Sequence, residues 1–262
     1  MHQNQSTYRT LCEAVWAYDG PSLFDDLLAP WLDTAQAEIA WLCDLTPVLA
    51  SLPSKLPRED LWRLYALTRL LDVIRLGMAP LATPHTIEPE EYTRFAEALS
   101  LTAVEPSSYH PFWHEVVAIE VAVSQSAMPR LVRTQWATLM LGPLLISRGG
   151  ATVNAGSDVM NPDVALKSTL YWAYVRNGRS TRDLGSDWGS NSQWRTEHRL
   201  DYATQTEFHF NKGGTGETFD ETPLIDALEL LRYRCCLTSR RYDGPDFPHA
   251  LTYVESRLAS PA

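Results

Sequence analysis

The chain has 262 residues, 45% hydrophobic and 21% charged, a composition that is typical of a globular protein and excludes a mostly disordered one. No apolar run approaches the roughly 20 residues of a membrane-spanning helix, and the first residues lack the pattern of a signal peptide, so we expect a cytoplasmic protein without membrane association. The net charge of −10, without a basic cluster, would repel a phosphate backbone and suit a basic protein, so nucleic acid is not an expected partner.

Helices are predicted for the first hundred residues. The first of them follows an apolar stripe and ends or bends near Thr46, because Pro47 lacks the N–H that a helix interior needs. Asp33 and Gln36 have the spacing of a capping box near its start. The stripe contains Trp31, Ala35, Leu42, Leu45 and Leu49.

Two further helices are predicted before residue 103. One follows Pro57 and has an apolar face so broad that we expect it to be buried on more than one side. The other begins at Pro89, with Glu90 and Glu91 favourably placed in its first turn. The apolar stripe of the former contains Leu61, Leu64, Leu67, Leu71 and Ile74, and that of the latter contains Tyr92, Phe95 and Leu99.

After about residue 104 the pattern changes to short strands and turns. Segment 130–156 has β-branched and aromatic residues that are interrupted by Gly-Pro and Gly-Gly. Its stretch SRGGATVNAG has neither the Lys-Ser/Thr of a P-loop nor the GxGxxG of a dinucleotide site, so a hairpin turn is favoured over a phosphate-binding loop. Helices are predicted again at 161–178 and from about residue 222.

These elements predict an α+β fold in which a helical N-terminal half packs against a mixed or antiparallel sheet with additional helices. We divide the chain into a helical region, 1–103, and an α+β region, 104–262, with one continuous domain as the alternative. The four cysteines have neither zinc-binding nor redox spacing, and no cofactor is expected.

Segment 185–202, GSDWGSNSQWRTEHRLDY, carries the strongest chemical signal in the chain. From Trp194 to Tyr202 apolar and ionic side chains alternate with a period of two, which predicts a strand that pairs with 206–210 through a turn at 203–205. In such a strand the apolar side includes His198, which favours a core histidine over a catalytic base. The opposite face gathers the ionic side chains of Arg195, Glu197, Arg199 and Asp201.

Two interpretations of this ionic face are open. In the first, its charges neutralise one another and pair with the neighbouring strand, which contributes little to stability at an exposed position. In the second, the face is the floor of a cleft that binds a polar ligand or the backbone of a partner, with indole and amide groups at its rim. The candidate binding residues are then Trp188, Asn191, Gln193, Arg195, Glu197, Arg199 and Asp201.

His110 and His114 are candidate metal ligands. On a helix that begins at Pro111 the two rings could share an ion. The following VVAIEVAV fits a strand equally well, and on a strand the two residues would be about 13 Å apart, too far to share one ion. The sequence has no HExxH motif, and no third ligand is evident.

The leading functional hypothesis is a non-catalytic cytoplasmic protein that binds a protein partner, with a role of the immunity or antitoxin type as one instance. It follows from the acidic composition, the dense polar and aromatic segment and the lack of a complete catalytic motif. The alternative is an enzyme for a small polar substrate, such as a metal-assisted hydrolase. Its site would combine segment 185–202 with His110 or His114, and a histidine or Glu197 would move a proton.

Overall fold

The computed structural model describes residues 5–52, 56–78, 85–160, 196–198, 200–212, 238–240 and 253–257. Within these ranges the fold is α+β, as the sequence predicts, with five α-helices, a six-stranded antiparallel sheet and a three-stranded mixed sheet. The helices predicted at 161–178 and from residue 222 lie outside the described residues.

All the helices in the described residues precede the first strand. A π-helical turn at Phe24–Leu28 leads directly into the second helix, and a 3-10 turn at Leu76–Met78 follows the fourth. The α-helices are α1 (Gln5–Ala17), α2 (Ala29–Thr34), α3 (Gln36–Leu49), α4 (Arg58–Arg75) and α5 (Pro89–Ala98).

Helix α4 is the centre of the helical layer, and the prediction of burial on more than one side is confirmed. Every residue from Leu64 to Leu76 is buried, the polar ones included. The helix packs against α1 on one side and against the first sheet on another. A helix with polar side chains in such a position needs internal partners for them.

Helix α5 is also confirmed, and its start has a local cause. Pro89 occupies the first helical turn, and the side chains of Glu88 and Glu91 form a capping box with each other's backbone N–H groups. The predicted stripe of Tyr92, Phe95 and Leu99 is buried.

The helix predicted around 31–46 is wrong at both ends. The chain breaks at Ala35 between α2 and α3, and Gln36 donates from Nε2 to Leu32 O, 3.1 Å, instead of closing a capping box. Helix α3 continues past Pro47 to Leu49. Proline removes one donor, whose usual acceptor would be the carbonyl of Cys43, and Cys43 is exposed, so water can replace the lost bond.

The first sheet has the order β1-β4-β5-β8-β9-β11, and all of its neighbouring strands are antiparallel. The predicted hairpin is confirmed within it, since β8 pairs with β9 and Thr204 N donates to Glu207 O in the turn. The strands are β1 (Thr102–Val104), β4 (Thr138–Leu141), β5 (Leu144–Ser147), β8 (Leu200–Ala203), β9 (Glu207–Lys212) and β11 (Tyr253–Ser256).

The second sheet has the order β2-β6-β3, in which β2 is parallel and β3 antiparallel to the central β6. Its strands are β2 (His114–Val121), β3 (Arg130–Trp136) and β6 (Gly149–Ala155), and a separate antiparallel pair joins β7 (Thr196–His198) to β10 (Thr238–Arg240).

The hairpin turn predicted at SRGGATVNAG is wrong, because both of its first glycines lie inside β6. Glycine is required there by packing. A Cβ on Gly150 would come within 2.6 Å of the Trp136 ring, and one on Gly149 within 2.9 Å of Trp136 O. The glycines therefore make room for an indole on the neighbouring strand rather than turning the chain.

The main hydrophobic core lies between the helices and the first sheet. It contains buried side chains from α1, α3, α4 and α5 together with Trp136, Leu139, Leu144 and Tyr202, so it continues across residue 103. In the part of the chain that the structure describes, no helix combines the length and the apolar character that spanning a bilayer requires.

Replacement of Gly150 by alanine tests the close approach of β3 and β6. The added methyl group would overlap the Trp136 indole, which is held by donation from Nε1 to Arg148 O, 3.0 Å. We expect a loss of about 1–3 kcal/mol in the free energy of unfolding, measured by urea denaturation. In a Trp136→Phe background, Gly150→Ala should destabilise the protein less, because the smaller ring leaves room for the methyl group. An equal loss in both backgrounds would show that overlap with the indole is not the cause.

His85 predicts a dependence of stability on pH. The ring is 1% exposed and its Nε2 lies 3.1 Å from Val73 O near the end of α4. Burial lowers its pKa below the usual 6.5, so the unfolded chain binds a proton more readily than the folded one. Stability should therefore fall as the pH decreases below 6.5, and more steeply in the wild type than in His85→Gln, as urea midpoints at several pH values would show.

Candidate functional site

Most of the predicted site lies outside the described residues. This holds for Trp188, Asn191, Gln193, Arg195 and Arg199, whose arrangement stays a prediction. The strand character predicted for 194–202 is confirmed where the chain is described, at β7 and β8. Glu197 lies in β7 opposite Ser239 of β10.

Asp201, the last member of the predicted ionic face, is fully buried. Its Oδ2 accepts a hydrogen bond from Arg148 Nη2 at 2.9 Å, and the two side chains are 0% and 1% exposed. Arg148 also donates from Nε to Pro111 O, 3.0 Å. The charge of Asp201 is therefore neutralised inside the protein, in line with the first of the two interpretations of the ionic face. Arg148 connects β8 to the turn that precedes β2.

A second buried ionic group surrounds Arg75 at the end of α4. Its guanidinium lies 3.0 Å from Glu115 Oε1 in β2 and donates to Ser147 Oγ in β5 at 2.9 Å. It also pairs with Asp72 one turn earlier, and Asp72 in turn accepts from Arg69 Nη1 at 2.9 Å. One side chain therefore connects the helical layer to both sheets.

The two groups together form a neutral polar interior. They contain three buried guanidinium groups and three buried carboxylates, so the charges within the two groups balance, as a low-dielectric interior requires. We call this set the ionic core: Arg69, Asp72, Arg75, Glu115, Arg148 and Asp201.

The hydroxyl groups beside the ionic core are not arranged for nucleophilic catalysis. Ser147 Oγ is the acceptor for Arg75 and lies 3.4 Å from Tyr92 Oη. Burial raises the pKa of Tyr92 to about 12, so its phenol stays protonated at neutral pH. Neither a guanidinium nor a protonated phenol can take a proton from the serine.

A single helical turn followed by a strand brings His110 and His114 together. The predicted helix from Pro111 and the predicted strand are therefore each met in part. His114 N donates to His110 O at 2.9 Å, and β2 begins at His114. The Nδ1 of His114 lies 3.2 Å from His110 N. His110 accepts from Phe112 N on Nδ1 and contacts Glu255 with Nε2, 3.2 Å. Both nitrogens of His110 therefore already have protein partners.

Metal binding gains no support from these contacts. Across residues 5–160, with the two short gaps at 53–55 and 79–84, and in the later described strands, no three or more histidine, cysteine, aspartate or glutamate side chains come together as a metal site requires. The pairing of His110 and His114 on a metal stays a prediction.

A shallow pocket of about 470 Å³ lies at the turn between β8 and β9. Tyr202 lines it and stacks on His209, with 4.4 Å between the ring centroids and an interplanar angle of 7°. Arg257 also lines it and donates to the backbone oxygen of Thr204. Its other lining residues are Ala50, Leu52, Pro143, Ala203, Thr204 and Gln205, so the only charged side chain in the described lining already bonds the protein.

Large apolar side chains are exposed at one end of the second sheet. This end comprises residues 119–133, and we call it the outer end. Six large hydrophobic side chains are exposed in the described part of the chain, and four of them belong to this end. These are Val121 at 64%, Val123 at 106%, Met128 at 64% and Val132 at 45% exposure.

The outer end extends a small apolar cluster rather than standing apart from it. Ile119 and Leu131 are half-buried against the cluster, and both face Val153 across the sheet. Val121 lies opposite Ala155, two residues further along the same face. Several large apolar side chains exposed at one end of a sheet are typical of a site that contacts another molecule.

The loop that carries Val123 and Met128 is held firmly by backbone hydrogen bonds. Ala122 N donates to Ala155 O, Gly156 N to Ala127 O and Asp158 N to Gln125 O, at 2.9–3.0 Å. Gly156 packs so closely that a Cβ there would lie 2.1 Å from Gln125 O. The exposed apolar side chains are therefore presented on a defined backbone.

Comparisons of the chain with protein-family models, with curated proteins and with solved structures found no match.

Sequence reasoning missed both the ionic core and the outer end, although each left a signal. Arg69, Asp72 and Arg75 recur every three residues within the buried stripe of α4, a spacing that puts them on one face. The alternation of Ile119, Val121 and Val123 predicted a shared strand face, but only the fold reveals that part of this face is uncovered.

Separate and joint replacement of Arg148 and Asp201 tests the ionic core. Asp201→Asn would leave a buried guanidinium without its carboxylate, and we expect a loss of about 3–5 kcal/mol in the free energy of unfolding. Arg148→Met/Asp201→Leu, which removes both charges, should be considerably more stable than either single variant. Urea denaturation of the wild type, Arg148→Met, Asp201→Leu and the double variant gives the coupling energy. Additive losses would show that the two side chains do not stabilise each other.

Proposed function

We propose that this protein is a non-catalytic binding protein and that the outer end of the second sheet docks onto a protein partner. The observation that carries the proposal is the exposure of Val121, Val123, Met128 and Val132 at the same end of the second sheet. Methionine and arginine are enriched in protein interfaces, and Met128 is flanked here by Arg130.

The fixed loop favours binding over a merely tolerated apolar surface. A surface that is already ordered loses little conformational entropy when a partner covers it, and so retains more of the free energy of burial. The hydrogen bonds from Gly156 and Asp158 to the loop provide this order before any partner is present.

The chemistry of the interior supports the same proposal. The ionic side chains that a catalytic site would need are engaged with one another in the ionic core, and His110 is engaged at both ring nitrogens. Segment 185–202 remains a proposed second contact region for the partner. The free cysteines Cys12 and Cys43 agree with a cytoplasmic location, which is reducing. A role of the immunity or antitoxin type is one form of the proposal, and it rests on charge and size.

The proposal predicts that polar replacements at the outer end abolish partner binding without unfolding the protein. Val121→Ser/Val132→Ser should lower the recovery of a stoichiometric partner from the native host by at least about tenfold, since the apolar contact is lost. Quantitative affinity purification against the wild type is the measurement.

Val48→Ser is the matched control, because Val48 is a valine of nearly the same exposure, 47%, on helix α3. It should leave the recovery unchanged. If the outer-end variant and the control retain the same partner equally, or if no stoichiometric partner is recovered with the wild type, the proposal is wrong.

A further inference from the structure

The outer end differs in charge from the rest of the chain. Its charged residues are two arginines, Arg130 and Arg133, and one glutamate, Glu120, which together give a charge of +1 in a protein whose net charge is −10. All three side chains are exposed.

The charges occupy opposite edges of the second sheet. Arg130 and Glu120 face Asn154 from the two sides of β6, so the arginine lies on β3 and the glutamate on β2. Arg133 lies opposite Thr152 on the same edge as Arg130, and its Nε is 3.4 Å from the Thr152 hydroxyl. A further exposed carboxylate, that of Asp158, lies near the loop that carries Val123 and Met128, since the backbone N–H of Asp158 donates to Gln125 O in that loop.

Both arginines on β3 are exposed, and the Arg133 guanidinium also donates to the side-chain oxygens of Gln135 and Thr152. Among the residues that the structure describes, neither Arg130 nor Arg133 forms an ion pair with a carboxylate. Leu131 and Val132 lie between them, and Val132 is exposed, so this edge presents an apolar side chain together with two cationic ones. An arginine beside an apolar contact is well suited to bidentate binding of a carboxylate.

The edge is poorly suited to addition of another strand. Its register with β6 shifts between Leu131 and Arg133 and again between Thr134 and Trp136. Such bulges interrupt the regular row of N–H and C=O groups that an added strand requires. Recognition at this edge must therefore come from the side chains.

We infer that the partner surface that covers the outer end is acidic, with carboxylates that meet Arg130 and Arg133 and apolar groups that meet Val121, Met128 and Val132. This inference rests on the proposed function and specifies the chemistry of its partner. A second copy of the chain is disfavoured as the occupant of the β3 edge, since related copies that meet at this edge would bring arginine against arginine.

Three short synthetic peptides test the charge preference. They share the same leucines and serines and differ only in the remaining positions, which hold glutamate, glutamine or lysine. We expect the wild type to bind the glutamate peptide at least about tenfold more tightly than the lysine peptide, with the glutamine peptide between them, as measured by fluorescence anisotropy.

Two variants of the full chain separate the edges of the sheet. Arg130→Glu/Arg133→Glu should reverse the order of the peptides, whereas Glu120→Gln, on the opposite edge, should leave the glutamate peptide bound as tightly or more tightly. Both variants should unfold at the urea midpoint of the wild type, because the replaced side chains are exposed.

The outcomes distinguish the inference from the proposed function. If all three peptides bind equally, or the lysine peptide binds best, the outer end is still a docking surface, but the inference that its partner is acidic is wrong. If none of the peptides binds the wild type, the docking surface itself is wrong. Backbone N-methylation of the glutamate peptide should leave its affinity unchanged, and loss of binding on N-methylation would show strand addition instead of recognition by side chains.

Discussion

The ionic core is the constraint on which the rest of the structure depends. Arg75 leaves the last turn of α4 and meets Glu115 of β2 and Ser147 of β5, so one guanidinium fixes the helix relative to both sheets. A buried charge is tolerated only with its partners in place, and within the ionic core three cations are matched by three anions. Apolar contacts alone would permit α4 to slide along the sheet, whereas these directional bonds define one position.

The same constraint determines where recognition can take place. Arg148 draws Asp201 inward, and with it one side chain of the strand that the sequence marks as an ionic face. The helices cover part of the first sheet, where side chains of β4, β5 and β8 pack into the main core. The second sheet is covered over only part of its length, and the uncovered part keeps apolar side chains and arginines at the surface.

The elements that were predicted correctly are those with local causes. The capping box of Glu88 and Glu91 fixes the start of α5, and a short turn with alternating side chains fixes the hairpin of β8 and β9. The elements that were not predicted depend on distant neighbours. Gly150 lies in a strand because Trp136 needs the space, and α3 passes Pro47 where the residue that loses its hydrogen bond, Cys43, is exposed to water.

The candidate site follows the same division. Segment 185–202 could be assigned a strand from its own alternation, yet the burial of Asp201 depends on Arg148, 53 positions earlier in the chain. The exposure of Val121 depends on which other elements pack over the sheet, and the residues around Val121 in the sequence do not predict this.

The parallel pairing of β2 with β6 has a consequence for the order in which the chain assembles. β3, β4 and β5 all lie between the two partners in the sequence, and Arg75 reaches Ser147 across 72 positions. Contacts of such separation carry a large loop-closure entropy and place a protein among the slow folders, on a timescale of roughly milliseconds to seconds. The helices can form early from nearby residues, and Arg69, Asp72 and Arg75 can pair within α4. Arg75 meets Glu115 and Ser147 only when β2 and β5 have joined, so a newly synthesised chain passes through a period in which α4 is formed and still incompletely matched.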